Sequence, residues 1–364
     1  MTILLSLLYI VVGFVLLIWS AKKFIDGSSG LAYCLGVPEL IIGILIVGFG
    51  TSAPEMLVSL LAAMDNSPGL ALGNAWGSNI CNISLILGVT ALLTPVVVSR
   101  SLLKKEYPLL LFVVILPLYF VYDGDISRTE SLVLLLIIAG FIVHTTLDGV
   151  RKSREEKKRK SMVAAVESAN LSVDNQNSVS DSGNEEDEIP KNLGLGKSSL
   201  MALMGLVVMV ASSKLIVLGA VDIATILKIN DIVIGLTVVA VGTSLPELAA
   251  SVVAARKGCD ELAVGNIIGS NIFNSTAVIG IAGVVAPFSV DKMVMVRDGG
   301  ITLFLTLSLI IFSISFRSGT VKLGRFHGVF WLTVYVAYTS LLVYTALNGD
   351  NPPEWLAFLK GEWL

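Results

Sequence analysis

The sequence predicts an all-α integral membrane protein of ten transmembrane helices, arranged as two inverted five-helix repeats. Three observations predict it. The chain of 364 residues is 54% apolar and only 15% charged, whereas a soluble domain averages about a quarter charged residues. Apolar runs of membrane-spanning length recur along it. One apolar block also occurs twice, with a glutamate inside each copy. Residues 43–96 and 235–288, aligned without a gap, agree at 21 of 54 positions, against roughly 4 expected by chance at ordinary residue frequencies. The offset never slips: Glu55 and Glu247 lie 192 residues apart, and so do Ser78 and Ser270. A duplicated apolar block carrying an ionisable group implies a secondary transporter with its site at the repeat interface.

Spans are expected near residues 3–20, 37–62, 70–95, 107–122, 130–149, 199–218, 231–255, 262–287, 299–316 and 327–347. The first lacks a charged n-region and a small-residue cleavage site, so it reads as a retained helix. The repeat continues upstream at the same offset, pairing Lys22 with Lys214, Gly27 with Gly219 and Leu35 with Leu227. Five helices per unit is an odd number, so the second unit enters the membrane from the other side. The units are residues 1–149 and 199–364. Between them, 150–198 holds a basic run (RKSREEKKRK, 151–160) and then SDSGNEEDE (181–189). Without apolar periodicity, this stretch reads as a disordered linker loop. Its alternative is regulation, by anionic lipid meeting the basic run or by calcium at the acidic stretch, although the EF-hand pattern is missing.

Positive charge in short loops orients the chain. Lys22 and Lys23, then Arg100, Lys104 and Lys105, then Arg256 and Lys257, then Arg317, Lys322 and Arg325 follow the first, third, seventh and ninth spans. The opposite loops are richer in Asp. The expectation is a multi-pass protein of the plasma (inner) membrane, with both termini outside and the central loop cytoplasmic. A net charge of −3 with no basic stripe and interleaved aromatics gives no sign of nucleic acid. Cys34, Cys81 and Cys259 are scattered and read as small apolar residues rather than a zinc or disulfide framework. No protein partner and no prosthetic group are expected.

The chemistry lies in spans two, three, seven and eight. In GTSAPE (50–55) Pro54 cannot donate to the carbonyl of Gly50, and in GTSLPE (242–247) Pro246 does the same to Gly242. A freed carbonyl in mid-membrane needs a partner, and a cation is one. Thr51 and Glu55 share a helix face, as do Thr243 and Glu247. Ser52 and Ser244 add neighbouring hydroxyls. Ser78 and Asn82 share a face in span three, and Ser270 and Asn274 do so in span eight. Gly73, Gly77, Gly265 and Gly269 should let these helices approach closely. The inventory is hard oxygen throughout, which suits calcium and also sodium. Two carboxylates about 4 Å apart would repel by about 4 kcal/mol at an effective dielectric near 20, so the site should always hold a cation or a proton. That favours exchange over simple release. Glu39 and Asp231 read as interfacial caps and Glu261 as a surface group, while His144 and His327 stand alone.

The pairs GTSAPE/GNAWGSNICN and GTSLPE/GNIIGSNIFN resemble the two alpha repeats of the sodium/calcium exchanger family, within the cation/calcium antiporter superfamily. The resemblance covers nearly the whole chain outside the central loop and is closest to the compact prokaryotic members. It implies ten helices in inverted repeats around a mid-membrane site, with sodium entering and calcium leaving by alternating access. By motif position, Glu55 and Glu247 would be the main calcium carboxylates. Thr51, Thr243, Ser52, Ser244, Ser78 and Ser270 would supply oxygens to calcium or sodium. Asn82 and Asn274 stand where some relatives carry Asp on one repeat, which weakens any case for potassium co-transport. A calcium/proton exchanger on the same fold remains open, and so does a passive cation channel. An intramembrane enzyme has no support, because HExxH and a Ser-His pairing are both missing.

Overall fold

The computed structural model describes residues 3–65, 68–99, 105–170, 194–227, 240–314 and 320–347. Among them, nine helices are long and apolar enough to cross a membrane. They are α1 (Ile3–Leu35), α2 (Glu39–Met64), α3 (Gly69–Leu93), α4 (Glu106–Phe120), α5 (Arg128–Asn170), α6 (Leu195–Ile226), α8 (Asp260–Val285), α9 (Lys292–Ser313) and α10 (Arg325–Leu347). The expected seventh span, 231–255, lies partly outside the described residues. Its described part is a turn, Ala240–Thr243, followed by α7 (Leu245–Arg256).

Several expected ends move. The first helix runs to Leu35, so Lys22 and Lys23 lie within α1 and not in a loop after it. The reason is tertiary packing. Beyond those exposed lysines, Phe24, Ile25 and Gly27–Ala32 are buried, largely against α6, which likewise runs eight residues past the expected end at 218, to Ile226. Glycines make the α1–α6 seam: a Cβ on Gly27 would sit 2.3 Å from the Ala202 nitrogen, and one on Gly205 would sit 2.5 Å from the Phe24 nitrogen. Residues 150–170, expected within the linker, continue α5 to Asn170, and 195–198 begin α6. Ser153 anchors the α5 extension by donating to the Leu35 carbonyl at 2.6 Å.

Two short antiparallel ribbons tie one repeat to the other. β1 (Val96–Ser99) pairs with β4 (Thr320–Leu323), placing Val96 opposite Leu323. β2 (Asp125–Ile126) pairs with β3 (Phe288–Ser289), placing Ile126 opposite Phe288. Val96 and Phe288 are 192 residues apart, so the chain leaves α3 and α8 at equivalent positions into equivalent ribbons. Each ribbon satisfies exposed backbone groups at a helix exit without lengthening the helix.

The centre is built by α2 and α8. Gly43 and Gly265 face each other across this seam, where a Cβ on Gly265 would lie 2.8 Å from the Leu40 carbonyl oxygen. A Cβ on Gly269 would lie 2.6 Å from the Ile44 carbonyl oxygen. Small residues are what allow membrane helices to pack backbone to backbone. The equivalent glycines of the first copy behave differently: among the described residues, a Cβ on Gly73 or Gly77 meets nothing within 4 Å. The expected close approach is therefore made by Gly265 and Gly269 alone.

Gly269→Ala should force two backbones apart and destabilise the protein by about 1–3 kcal/mol, the usual range for overpacking. Gly140→Ala, on a part of α5 with open space around it, should not destabilise. Thermal melts in detergent check this, and equal melting temperatures for the two variants would contradict the packing.

Candidate ion site at the repeat interface

Local backbone irregularity marks all four helices that carry the duplicated motif. α2 holds a π-helical segment at Gly43–Gly48 ahead of GTSAPE, and α3 holds another at Cys81–Leu87. α8 repeats the second at Asn274–Val278. Such segments widen the helix and recur at functional sites. Here they contain Asn82 and Asn274 themselves. The π segment of each copy packs on the glutamate-bearing helix of the other, so Cys81–Leu87 meets α7 and Asn274–Val278 meets α2.

The two proline motifs fold unequally. In the first copy Pro54 sits inside a continuous helix. In the second the helix breaks at Ser244, and Pro246 and Glu247 fall in the first turn of α7. Glu247 therefore stands where unpaired N–H groups and the positive end of a helix favour a carboxylate. The freed Gly242 carbonyl accepts a hydrogen bond from the Ser213 hydroxyl on α6 at 2.5 Å. Ala21 occupies the repeat-equivalent position of Ser213 and has no hydroxyl to offer Gly50.

Nine of the ten expected site residues are buried: Thr51, Ser52, Glu55, Ser78, Asn82, Ser244, Glu247, Ser270 and Asn274. Thr243 is half-buried and lines a groove of about 260 Å³ with Pro54, Val58 and Lys214. Thr51 is the hinge of the cluster. Its hydroxyl lies 3.0 Å from the Val47 carbonyl, 3.1 Å from Asn266 Oδ1 and 3.5 Å from Ser270 Oγ. Ser270 in turn donates to the Gly48 carbonyl at 3.4 Å. Thr51 and Ser52 stand beside the Glu247 carboxylate, and Glu55 lies close enough to act on its charge. Ser244 lies beside Cys81.

Four further residues that the motif pattern does not mark, Asn74, Ser59, Asn266 and Ser251, hold the backbone beside the glutamates. Asn74 Nδ2 donates to the Glu55 carbonyl at 3.2 Å and to Ser59 Oγ at 3.2 Å. In the other copy, Asn266 Nδ2 donates to the Glu247 carbonyl at 3.3 Å and to Ser251 Oγ at 2.9 Å. The same bracket thus forms twice, holding the backbone of each glutamate. Its signal was present, since all four residues are polar, intramembrane and identical in the two copies.

Among the described residues, thirteen buried side-chain N or O atoms have no hydrogen-bond partner in the protein. Ten of them belong to Ser52, Glu55, Asn79, Asn82, Ser244, Glu247, Asn271 and Asn274. Buried polar atoms are ordinarily paired with protein groups or ordered water. Unpaired oxygens on Ser52, Glu55, Asn82, Ser244, Glu247 and Asn274, all at the four motif-bearing helices, are the kind of donor that a hard cation takes. The remaining three unpaired atoms, on Ser28, Glu106 and Asp222, lie in other helices.

The "Sodium/calcium exchanger protein" family matches residues 5–147 and 197–344. The sodium/calcium exchanger MaX1 of Methanosarcina acetivorans is 34% identical over 353 residues, covering 93% of this chain and 99% of its own. Inner membrane protein YrbG of Escherichia coli is 33% identical, covering 93% and 97%. The solved structure of the sodium-calcium exchanger NCX_Mj, soaked with sodium and strontium, superimposes with a TM-score of 0.73 at 29% identity, covering 93% of this chain and 99% of that one. The chain belongs to the sodium/calcium exchanger family and is a membrane-spanning cation/calcium exchanger.

Proposed function

We propose that this protein exports calcium in exchange for sodium by alternating access. The observation that carries the reading is the set of unpaired buried oxygens on Glu55, Glu247 and other motif residues of the same four helices. Calcium binds between these two carboxylates, whose combined charge balances one divalent ion. Ser52, Ser244, Ser78, Ser270, Thr51 and Thr243 contribute hydroxyl or backbone oxygens to calcium or to sodium, with Asn82 and Asn274 supplying side-chain carbonyls. The two five-helix units are inverted relative to each other, and the matched ribbons and matched Asn brackets support that reading. Both termini face outside, and the segment joining the units lies in the cytoplasm, following the Lys and Arg near the ends of the later spans and in 151–160. A transporter whose two carboxylates repel unless neutralised exchanges ions instead of leaking them.

In proteoliposomes, calcium flux should require an opposing sodium gradient. Flux that follows a pH gradient instead would identify a calcium/proton exchanger, and flux down the calcium gradient alone would identify a channel.

Glu55→Gln and Glu247→Gln should each lower calcium flux at least ~10-fold, the equivalent of about 1.4 kcal/mol or more, while still inserting. Near-normal flux from either variant would remove that residue from the site.

Calcium exchange should neither need nor move potassium, because Asn82 and Asn274 carry no charge. Asn274→Asp adds a third carboxylate to the cluster. Mutual repulsion then favours the protonated form, so uptake by the variant should fall at a higher pH than in the wild type. Uptake against pH, with and without potassium, checks both points. Identical pH profiles would place Asn274 away from the ions.

A further inference from the structure

A groove of about 460 Å³ runs between α1, the end of α3 and α7, with Leu245, two residues before Glu247, among its lining residues. Phe14 and Ile18 of α1, Leu93 of α3, and Leu248, Ala249 and Val252 of α7 give it apolar walls. Three cations, Lys22, Arg256 and Lys257, also line it. On α1, Lys22 follows Phe14 and Ile18, and on α7, Arg256 follows Leu248 and Val252 in steps of four residues. Both cations therefore extend an apolar stripe of their own helix. Lys257 is already answered by Asp26, with Nζ 2.6 Å from Oδ1 and both side chains largely buried. Lys22 and Arg256 are exposed, and among the described residues neither makes an ion pair. Two unanswered cations bordering an apolar groove in a membrane-spanning protein call for a ligand with an anionic head and an apolar tail.

We propose that this groove is a binding site for one anionic phospholipid. Its phosphate lies between Lys22 and Arg256, and an acyl chain lies along the α1–α7 wall. Basic pockets between membrane helices select anionic head groups in this way, and Arg is suited to phosphate by its planar fork of donors. The bilayer supplies lipid at every apolar surface, so the charge distinguishes this groove from the rest of the lipid-facing surface. The fold alone does not require that charge. At the repeat-equivalent positions Lys214 replaces Lys22, but Met64 and Asp65 stand where Arg256 and Lys257 do. The groove beside Lys214 has a single lysine on its walls. A phosphate held by both Lys22 and Arg256 ties α1 to the helix that carries Glu247.

Native mass spectrometry of the full-length detergent-solubilised protein, titrated with phosphatidylglycerol or with phosphatidylcholine, tests the proposal. Wild type should retain one phosphatidylglycerol at least ~10-fold more tightly than phosphatidylcholine. Lys22→Gln combined with Arg256→Gln should abolish that preference, while Lys292→Gln, an exposed control outside the groove, should preserve it. Equal retention of the two lipids by wild type, or an undiminished preference in the double variant, would overturn the site. Should the double variant fail to fold, Ala249→Trp fills the groove with all charges in place and should release the lipid. Unchanged phosphatidylglycerol retention in that variant would likewise overturn the proposal.

Discussion

Hydrocarbon offers no water to a polar group, yet this fold carries two carboxylates and a shell of amides and hydroxyls into the interior of a membrane protein. Much of the central architecture can be understood as a response to that constraint. The backbone around each glutamate is pinned by an asparagine that also holds a serine. Glycines bring α2 against α8 closely enough for Thr51 to reach Asn266 and Ser270 across the repeat boundary. The glutamate carboxylates themselves retain unpaired oxygens. Those oxygens are costly in a low-dielectric interior, and under the proposed function a bound cation would offset that cost.

The duplicated segments do not fold identically. Ribbons, π segments and Asn brackets repeat at matching positions, because these follow from local chemistry that both copies share. The helix carrying Glu55 is continuous, while the one carrying Glu247 starts afresh beside its glutamate. Gly265 and Gly269 are pressed against a neighbouring backbone, and Gly73 and Gly77 have open space among the described residues. Ser213 caps a freed carbonyl where the first copy has Ala21. Similar sequences thus occupy unequal environments in the two copies.

Much of this was legible in the chain. Nine of the ten expected spans have a spanning-length helix at the expected place, and the described part of the seventh is helical, because long apolar runs leave the backbone few alternatives inside a bilayer. Ends were less legible where packing, not hydropathy, sets them. Lys22 and Lys23 looked like a helix exit, but α1 continues because its far half is buried, much of it against α6. The basic run after 150 looked like linker, yet the helix persists to Asn170, since charged residues such as Arg and Lys are good helix formers once a nucleus exists. The roles of Asn74 and Asn266 are less legible because they lie in contacts between separate helices, although the two residues are identical in both copies.

The sequence by itself determined the membrane-spanning class, the duplication, and the equivalence of Glu55 and Glu247 within it. These follow from composition and a constant offset, which need no knowledge of neighbours. Only the tertiary structure decided which freed carbonyl is answered by a hydroxyl, which glycines carry the close packing, and which polar atoms are left without partners. Those outcomes depend on residues about 30 to more than 200 positions apart meeting across a seam, and no local pattern in a chain encodes the distance between two such atoms.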